Sequence, residues 1–148
     1  MTSENNAMEQ GKDYIGVGVG AFIMNPHGHV LLMKRGRLSK NEIGFWIIPG
    51  GSVHFGETLR EAIIREVKEE LGVEIELDGQ LPAYDHLLPH EKQHWVTNVF
   101  PAHITSGIPN IKEPGKCDEI GWFPLDKLPS PLAVASKGVV NYFLNLGN

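Results

Sequence analysis

Hydrophobic and polar positions fall into short runs that predict a series of β-strands. Residues 14–25, YIGVGVGAFIMN, and residues 29–36, HVLLMKRG, are rich in β-branched and aliphatic side chains. The turn-forming cluster 25–28 separates these two runs, so a β-hairpin is predicted there. Further strands are expected in residues 73–78, within the proline-flanked segment 81–90, and in residues 94–104, where β-branched and aromatic residues dominate.

Residues 59–71 carry the composition and the end signals of an amphipathic helix. Thr58, followed three residues later by Glu61, is a capping-box pattern, and Gly72 can take the left-handed conformation that ends a helix. The expected apolar stripe consists of Ile63, Ile64, Val67 and Leu71. A second helix is predicted to begin at the pair Ser130 and Pro131 and to run to about residue 146, packing on the sheet.

Three carboxylates gather on one face of the first helix. Glu66, Glu69 and Glu70 are separated by three and four residues, so they fall within about 100° of one another beside the apolar stripe. At the edge of a core such charges are costly unless a positive charge compensates them. A hard divalent cation, Mg²⁺ or Mn²⁺, would supply this positive charge. The alternative interpretation is a surface helix whose glutamates are solvated.

The glycines at 16, 18 and 20 do not have the spacing of a dinucleotide-binding loop, and a strand follows them rather than a helix. Three glycines on one strand face instead indicate that a ligand or another backbone approaches closely there.

Composition predicts one globular domain over residues 13–148, preceded by a flexible leader at residues 1–12. No apolar run approaches the roughly 20 residues that span a bilayer, and the N-terminus does not resemble a signal sequence, so a cytoplasmic protein without a membrane partner is expected. A single cysteine, Cys117, excludes an intrachain disulfide. The net charge of −5 disfavours binding to a nucleic-acid polymer.

The segment from Gly51 to Val73, GSVHFGETLREAIIREVKEELGV, resembles the signature of the Nudix hydrolases, which include the MutT-like enzymes. The matching positions are Gly51, Glu57, Arg65, Glu66, Val67, Glu69, Glu70, Gly72 and Val73. The resemblance implies an α/β protein with the Nudix fold, an α/β/α sandwich with a mixed β-sheet. It implies that Glu66, Glu69, Glu70 and the carbonyl of Gly50 bind Mg²⁺, with Mn²⁺ as a possible replacement. It also implies structural roles for Gly51, Glu57, Arg65 and Gly72.

A second resemblance concerns substrate class. Glu113, Pro114, Lys116 and Cys117, followed by Trp122, Phe123, Leu128 and Pro129, look like a pattern of Nudix enzymes that act on nucleoside triphosphates. The implied reaction releases a nucleoside monophosphate and pyrophosphate. An ADP-ribose or nucleotide-sugar pyrophosphatase and a non-catalytic nucleotide-binding Nudix module are the alternatives. A homodimer is implied by the same resemblance.

Further candidate residues concern substrate binding and proton transfer. Arg35, in the basic run 34–40, could hold phosphate oxygens in a bidentate fork. Tyr84, His94 and Trp95 are either core residues or walls of a base-binding pocket. The histidines lack zinc-ligand spacing. For the general base, Glu69, Asp118 and Glu113 are possible and Glu119 is favoured.

Overall fold

Eight strands and two helices follow one another in the computed structural model, which describes residues 7–146. The strands are β1 (Gly16–Ile23), β2 (His29–Arg35), β3 (Trp46–Ile47), β4 (Gly50–Ser52), β5 (Glu74–Leu77), β6 (Tyr84–Leu88), β7 (Gln93–Ser106) and β8 (Cys117–Pro124). The helices are α1 (Leu59–Leu71) and α2 (Val134–Leu146). A short 3-10 turn at Pro89–Glu91 connects β6 to β7.

The strands form two sheets, one of which is mixed. In the five-stranded sheet the order is β4-β1-β7-β5, and β6 pairs with the first part of β7. β1 and β7 are parallel, with Gly16 opposite Trp95 and Ile23 opposite Ala102, whereas the other pairs are antiparallel. The second sheet is antiparallel, in the order β3-β2-β8. The predicted mixed sheet is therefore present.

The predicted hairpin between β1 and β2 is wrong, although its turn forms. The Asn25 side chain accepts hydrogen bonds from the backbone N–H groups of His27 and His29, both at 3.0 Å. Beyond a bridge between Met24 and Val30, however, the two strands enter different sheets. Both strands carry buried side chains on their two faces, which is the pattern of central strands. Each therefore pairs with strands that are distant in sequence rather than with its neighbour.

Two apolar clusters lie on the two faces of the sheets. One contains Val19, Ala21 and Ile23 of β1 together with the buried face of α1, and the other contains Phe22 of β1 together with residues of α2. Since successive residues of a strand point to opposite faces, the helices cover opposite sides of the sheet layer. The predicted α/β/α arrangement is confirmed.

α1 begins and ends where its local signals predict. Thr58 Oγ1 accepts a hydrogen bond from Glu61 N at 3.1 Å, and Glu61 Oε1 accepts one from Thr58 N at 2.8 Å. Gly72 closes the helix at φ 71°. The predicted apolar stripe needs one correction. Ile64 is 36% exposed, and Ala62 faces the core instead, because the stripe is centred on Ile63.

α2 begins three residues later than the Ser130–Pro131 pair predicts. Trp46 N donates to Pro131 O at 2.8 Å, and Ala133 N donates to Trp46 O at 2.7 Å, so this segment extends alongside β3. The first turn of the helix is then held by a distant side chain, since Val134 N donates to Glu42 Oε2 at 3.0 Å. Pairing with β3 therefore takes precedence over the local helix-start signal.

The first half of the predicted leader, residues 1–6, lies outside the described residues. In its second half, Gly11 is buried against the ring of Trp95, and Gly11 O accepts a hydrogen bond from His94 N at 2.8 Å. Neither helix within residues 7–146 has the length and apolar character that a membrane span requires.

Candidate functional site

Two carboxylates of α1 face the short strand β4. Glu70 Oε1 accepts a hydrogen bond from Gly50 N at 3.0 Å. The Glu66 carboxylate lies against Gly51, where a Cβ atom would overlap it. Glu66 and Glu70 are one helical turn apart, so both reach the same backbone segment. The absence of a side chain at Gly51 therefore lets α1 approach β4, whereas Gly50 lies against Val19 O of β1, where a Cβ atom would also overlap.

Burial of these two carboxylates makes their charged forms costly. Burial raises the pKa of Glu66, and it raises the pKa of Glu70 well above its usual range, with the neighbouring charge of Glu66 adding to the effect. A bound cation would offset this penalty, and the oxygen donors suit a hard divalent ion. Within residues 7–146, no three Asp, Glu, His or Cys side chains are close enough to hold a metal ion as they stand. The donor chemistry fits, and a third donor would have to turn towards the pair.

The predicted trio of carboxylates is divided in the structure. The Glu69 side chain is 51% exposed and accepts a hydrogen bond from Arg65 Nη1 at 3.2 Å. It does not line the cavity that Glu66 and Glu70 line, although the same Arg65 Nη1 also donates to Glu66 at 2.9 Å. Because Glu69 is exposed, a change of rotamer can bring it towards the other two at little cost in packing.

Arg65 ties α1 to the preceding loop and to β4. Its Nη2 and Nε atoms form a two-pronged ion pair with Glu57, at 2.6 and 3.0 Å. Nη2 also donates to Ser52 O at 3.0 Å, and Nη1 donates to Glu66 at 2.9 Å. The bonds from Arg65, with a further one from His54 N, lower the pKa of Glu57 to about 2. This network orients Glu66 and fixes the loop that precedes α1.

One cavity of about 280 Å³ brings the acidic face together with β1 and β7. Gly18 and Gly20 of β1 line it, and so do Gly50, Glu66 and Glu70. Side chains, rather than the predicted ligand or backbone, make the close approach to Gly16 and Gly20, whereas the contacts at Gly18 are of ordinary length. The Trp95 ring packs against Gly16, and the Ile48 side chain packs against Gly20. Small residues on β1 thus leave space for the cavity.

Basic side chains line the same cavity. Arg35, Lys40 and Lys116 all contribute to its wall. Arg35 Nε donates to Asn41 O at 2.7 Å, and burial lowers the pKa of Arg35, partly offset by the charges of Glu42, Glu70 and Glu91. Arginine remains charged even when it is buried, so the cavity presents a fixed positive charge close to two carboxylates.

The loop between β2 and β3 and the loop between β7 and β8 pair with each other and close one side of the cavity. Gly36 N donates to Lys116 O at 2.8 Å, and Leu38 N donates to Gly115 O at 3.0 Å. These bonds place the cations of both loops on the same wall.

The aromatic part of the cavity differs in one residue from the sequence-based prediction. Tyr84 and Trp95 line the cavity, and the Tyr84 hydroxyl donates to Ala135 O at 3.3 Å. Burial raises the pKa of Tyr84 to about 12, so it remains a neutral hydrogen-bond donor. His94 lies in a separate depression, with Nε2 3.0 Å from Asp85 Oδ1. His86 lines the cavity instead. The two-residue period of β6, counted from Tyr84, could have identified it.

The acidic residues near β8 do not all line the cavity. Glu113 lines the cavity. Glu119 is exposed and lies opposite Lys34 in the pairing of β2 with β8. Its neighbour Ile120 packs into the cluster that contains α1, so Glu119 points to the other face of its sheet. Asp118 is also exposed and does not line the cavity.

A family profile, curated protein sequences and solved structures all match this chain. A profile of the NUDIX domain matches residues 15–143. The 8-oxo-dGDP phosphatase of Homo sapiens is 33% identical over 115 residues, which cover 76% of this chain and 33% of the human protein. The chain therefore spans about a third of that relative's length.

The ADP-ribose pyrophosphatase of Methanocaldococcus jannaschii is 30% identical over 128 residues, which cover 85% of this chain and 72% of that enzyme. The crystal structure of a MutT NUDIX hydrolase from Burkholderia pseudomallei superposes with a TM-score of 0.80 at 39% identity, covering 86% of this chain and 97% of that one.

Gly51→Ala tests whether the close contact with Glu66 matters for cation binding. The added methyl group must displace the Glu66 carboxylate, so we expect the affinity for Mn²⁺ to fall about 10- to 100-fold. Paramagnetic resonance of free Mn²⁺ measures this directly. Gly138→Ala, at a position with open space around it, is the matched control. Unchanged Mn²⁺ affinity in Gly51→Ala would show that the Glu66 position is unimportant for the ion.

Glu57→Gln tests the ion pair through the pH dependence of stability. The pKa of Glu57 is lowered from 4.5 to about 2 in the folded protein. Its contribution to the free energy of unfolding is therefore fully present above pH 4.5 and is lost as the pH falls towards 2. We therefore expect the variant to be less stable than the parent at neutral pH, and the difference to shrink across that window. Urea denaturation measures both proteins, with Asp126→Asn as a control for the loss of an exposed carboxylate. A difference that stays constant across the window would contradict the assignment.

Proposed function

The chain belongs to the NUDIX domain family, and on that basis we propose that it is a metal-dependent pyrophosphohydrolase that converts a nucleoside triphosphate to a monophosphate and pyrophosphate. The observation that carries this proposal is the single cavity that joins the carboxylates of α1, three basic side chains and an aromatic wall. A nucleotide has matching parts, because its phosphates need cations and its base needs a flat apolar surface. The named relatives act on nucleotides, namely 8-oxo-dGDP and ADP-ribose.

Nudix hydrolases generally use divalent metal ions, and for this chain we propose Mg²⁺, with Mn²⁺ able to replace it. Glu66 and Glu70 would hold the ion, joined by Glu69 after it turns from Arg65, and by the Gly50 carbonyl. When bound, the ion neutralises phosphate oxygens and lowers the pKa of a water molecule. The raised pKa values of Glu66 and Glu70 support this assignment, since a cation removes the reason for them to hold protons.

The chain's own residues would orient the phosphates and accept a proton. Arg35 provides a planar fork for phosphate oxygens, and Lys40 and Lys116 add charge from the two paired loops. A general base must accept the proton of the attacking water. Glu113 is the best-placed loop acid because it lines the cavity, whereas Glu119 lies outside it. Glu69 is the alternative base on α1.

An ADP-ribose pyrophosphatase is the second candidate. The similarity to the Methanocaldococcus jannaschii enzyme extends over 85% of this chain and supports it. Three cations on the cavity wall favour the triphosphate, which carries more charge than the diphosphate of ADP-ribose. A non-catalytic nucleotide-binding module would have no need for two buried carboxylates with unfavourable burial energy.

A product assay decides between these functions. The protein is incubated with Mg²⁺ and, separately, with common and oxidised nucleoside triphosphates, ADP-ribose and a dinucleotide polyphosphate. We expect pyrophosphate, not orthophosphate, from one or a few triphosphates, because water would cleave the phosphoanhydride bond between the α- and β-phosphates. Activity confined to ADP-ribose would establish the second candidate. Nucleotide binding without turnover of any substrate would support the non-catalytic module.

Arg35→Ala tests phosphate binding. We expect KM for the preferred triphosphate to rise about tenfold or more, since a charge-assisted contact to phosphate contributes about 1.5–3 kcal/mol, and kcat to change less. Steady-state kinetics at saturating Mg²⁺ measure both constants. Arg37→Ala is the matched control, because Arg37 belongs to the same loop but is exposed and outside the cavity. An equal KM in both variants would remove Arg35 from phosphate binding.

A further inference from the structure

Two buried polar atoms face each other beside the cavity without a hydrogen-bond partner. They are Oε1 of Glu42 and Nε2 of His86, separated by 3.6 Å. Both residues are 8% exposed. Buried polar groups are nearly always paired, so an unpaired carboxylate oxygen opposite an imidazole nitrogen needs an explanation.

Glu42 is held in place by bonds to two other parts of the fold. Its Oε2 accepts the hydrogen bond from Val134 N at the start of α2, and its own N–H donates to Glu91 Oε1 at 3.0 Å. Its backbone has φ 44°, a conformation that non-glycine residues rarely adopt and that is found at functional sites. Burial disfavours the charged form of Glu42, but the nearby His86 ring, the hydrogen bond from Val134 N and the charge of Arg35 together lower the pKa of Glu42, which favours the carboxylate. The position and charge of Oε1 are therefore fixed.

In its neutral form, the His86 imidazole takes the tautomer that a carboxylate oxygen at Oε1 sets. A carboxylate accepts hydrogen bonds and cannot donate them, so the hydrogen of the imidazole belongs on Nε2, which faces it. Nδ1 then carries a lone pair and is an acceptor. His86 lines the cavity and its Nε2 is turned towards Glu42, so Nδ1 is the ring nitrogen left for a ligand.

The surroundings of His86 indicate which part of a nucleotide it would meet. Tyr84 and Trp95 line the same part of the cavity, on β6 and the adjoining β7, and Trp95 is the direct cross-strand neighbour of His86. The carboxylates belong to α1 and lie against β4, which is separated from β6 by β1 and β7. A ligand with its phosphates near α1 would place its base among the aromatic side chains, where flat surfaces stack.

We propose that His86 is a specificity-determining residue whose Nδ1 accepts a hydrogen bond from the exocyclic amino group of the bound base, and that Glu42 is the positioning residue that sets this tautomer. The inference rests on the proposed function, because it assumes that the cavity binds a nucleotide. An amino group projects beyond the edge of the base and can reach a recessed acceptor. A carbonyl oxygen at the same position would face a lone pair and be rejected.

Replacing Glu42 with glutamine makes the proposal sharply testable. In Glu42→Gln the side-chain oxygen must still face Val134 N–H, because the amide NH₂ group cannot accept that bond. The NH₂ group then faces Nε2 of His86 and donates to it. The imidazole hydrogen moves to Nδ1, which becomes a donor, so the preference should change from an amino group to a carbonyl.

Calorimetric binding of nucleoside monophosphates measures the preference without requiring turnover. AMP and IMP, and CMP and UMP, exchange an amino group for a carbonyl at the same position, while GMP and IMP differ by one amino group. We expect the parent protein to bind the amino member of at least one pair about tenfold or more tightly. His86→Phe should bring that ratio close to one, and Glu42→Gln should reverse it for the amino and carbonyl pairs. His94→Phe, outside the cavity, should leave it unchanged.

A ratio that is the same in the parent and in His86→Phe would overturn the assignment of His86. A ratio lost but not reversed in Glu42→Gln would overturn the role of Glu42 as the residue that sets the tautomer. Absence of monophosphate binding in the parent would overturn both assignments. Failure of the proposed function shows separately, as absence of pyrophosphate in the product assay, while the binding ratios remain measurable.

Discussion

The close contact of α1 with β4 is the constraint on which the rest of the site depends. Gly51 lets the helix approach until Glu66 lies against the strand, and Glu70 accepts a hydrogen bond from Gly50 N. Arg65 then ties this contact to the loop through Glu57 and Ser52. Burying two carboxylates side by side is unfavourable, so stability alone does not account for this contact.

The fold follows from the sequence wherever the deciding contacts are local. α1 illustrates this, because Thr58, Glu61 and Gly72 supply both ends of the helix from adjacent residues. The start of α2 was not predictable in the same way. Its position depends on Trp46, which pairs with Ala133, and on Glu42, which bonds to Val134. The β1–β2 turn likewise formed as predicted, yet the partners of both strands come from elsewhere in the chain.

The candidate site shows the same division between local and distant determinants. Helical spacing correctly gathers Glu66 and Glu70, but it does not reveal that Glu69 binds Arg65 and stays outside the cavity lining. Arg35 and Tyr84 line the cavity as the sequence suggests. His94 does not, since neighbouring positions of a strand alternate between faces, and only the pairing of β6 with β7 determines which face meets the cavity. Glu119 lies outside for a related reason. The metal-ligand and catalytic assignments stay predictions.

The parallel pairing of β1 with β7 has a consequence for how the protein is made. The cavity wall unites a strand from the beginning of the chain with one from its second half, with Gly18 opposite Thr97. Pairings of such high contact order form slowly and late, because a long loop must close first. During synthesis on the ribosome, α1 can form early from its own end signals, but the cavity cannot exist until β7 has emerged. Ligand present in the cell would therefore bind only chains that have completed this pairing, and would protect the finished fold without assisting the earlier steps.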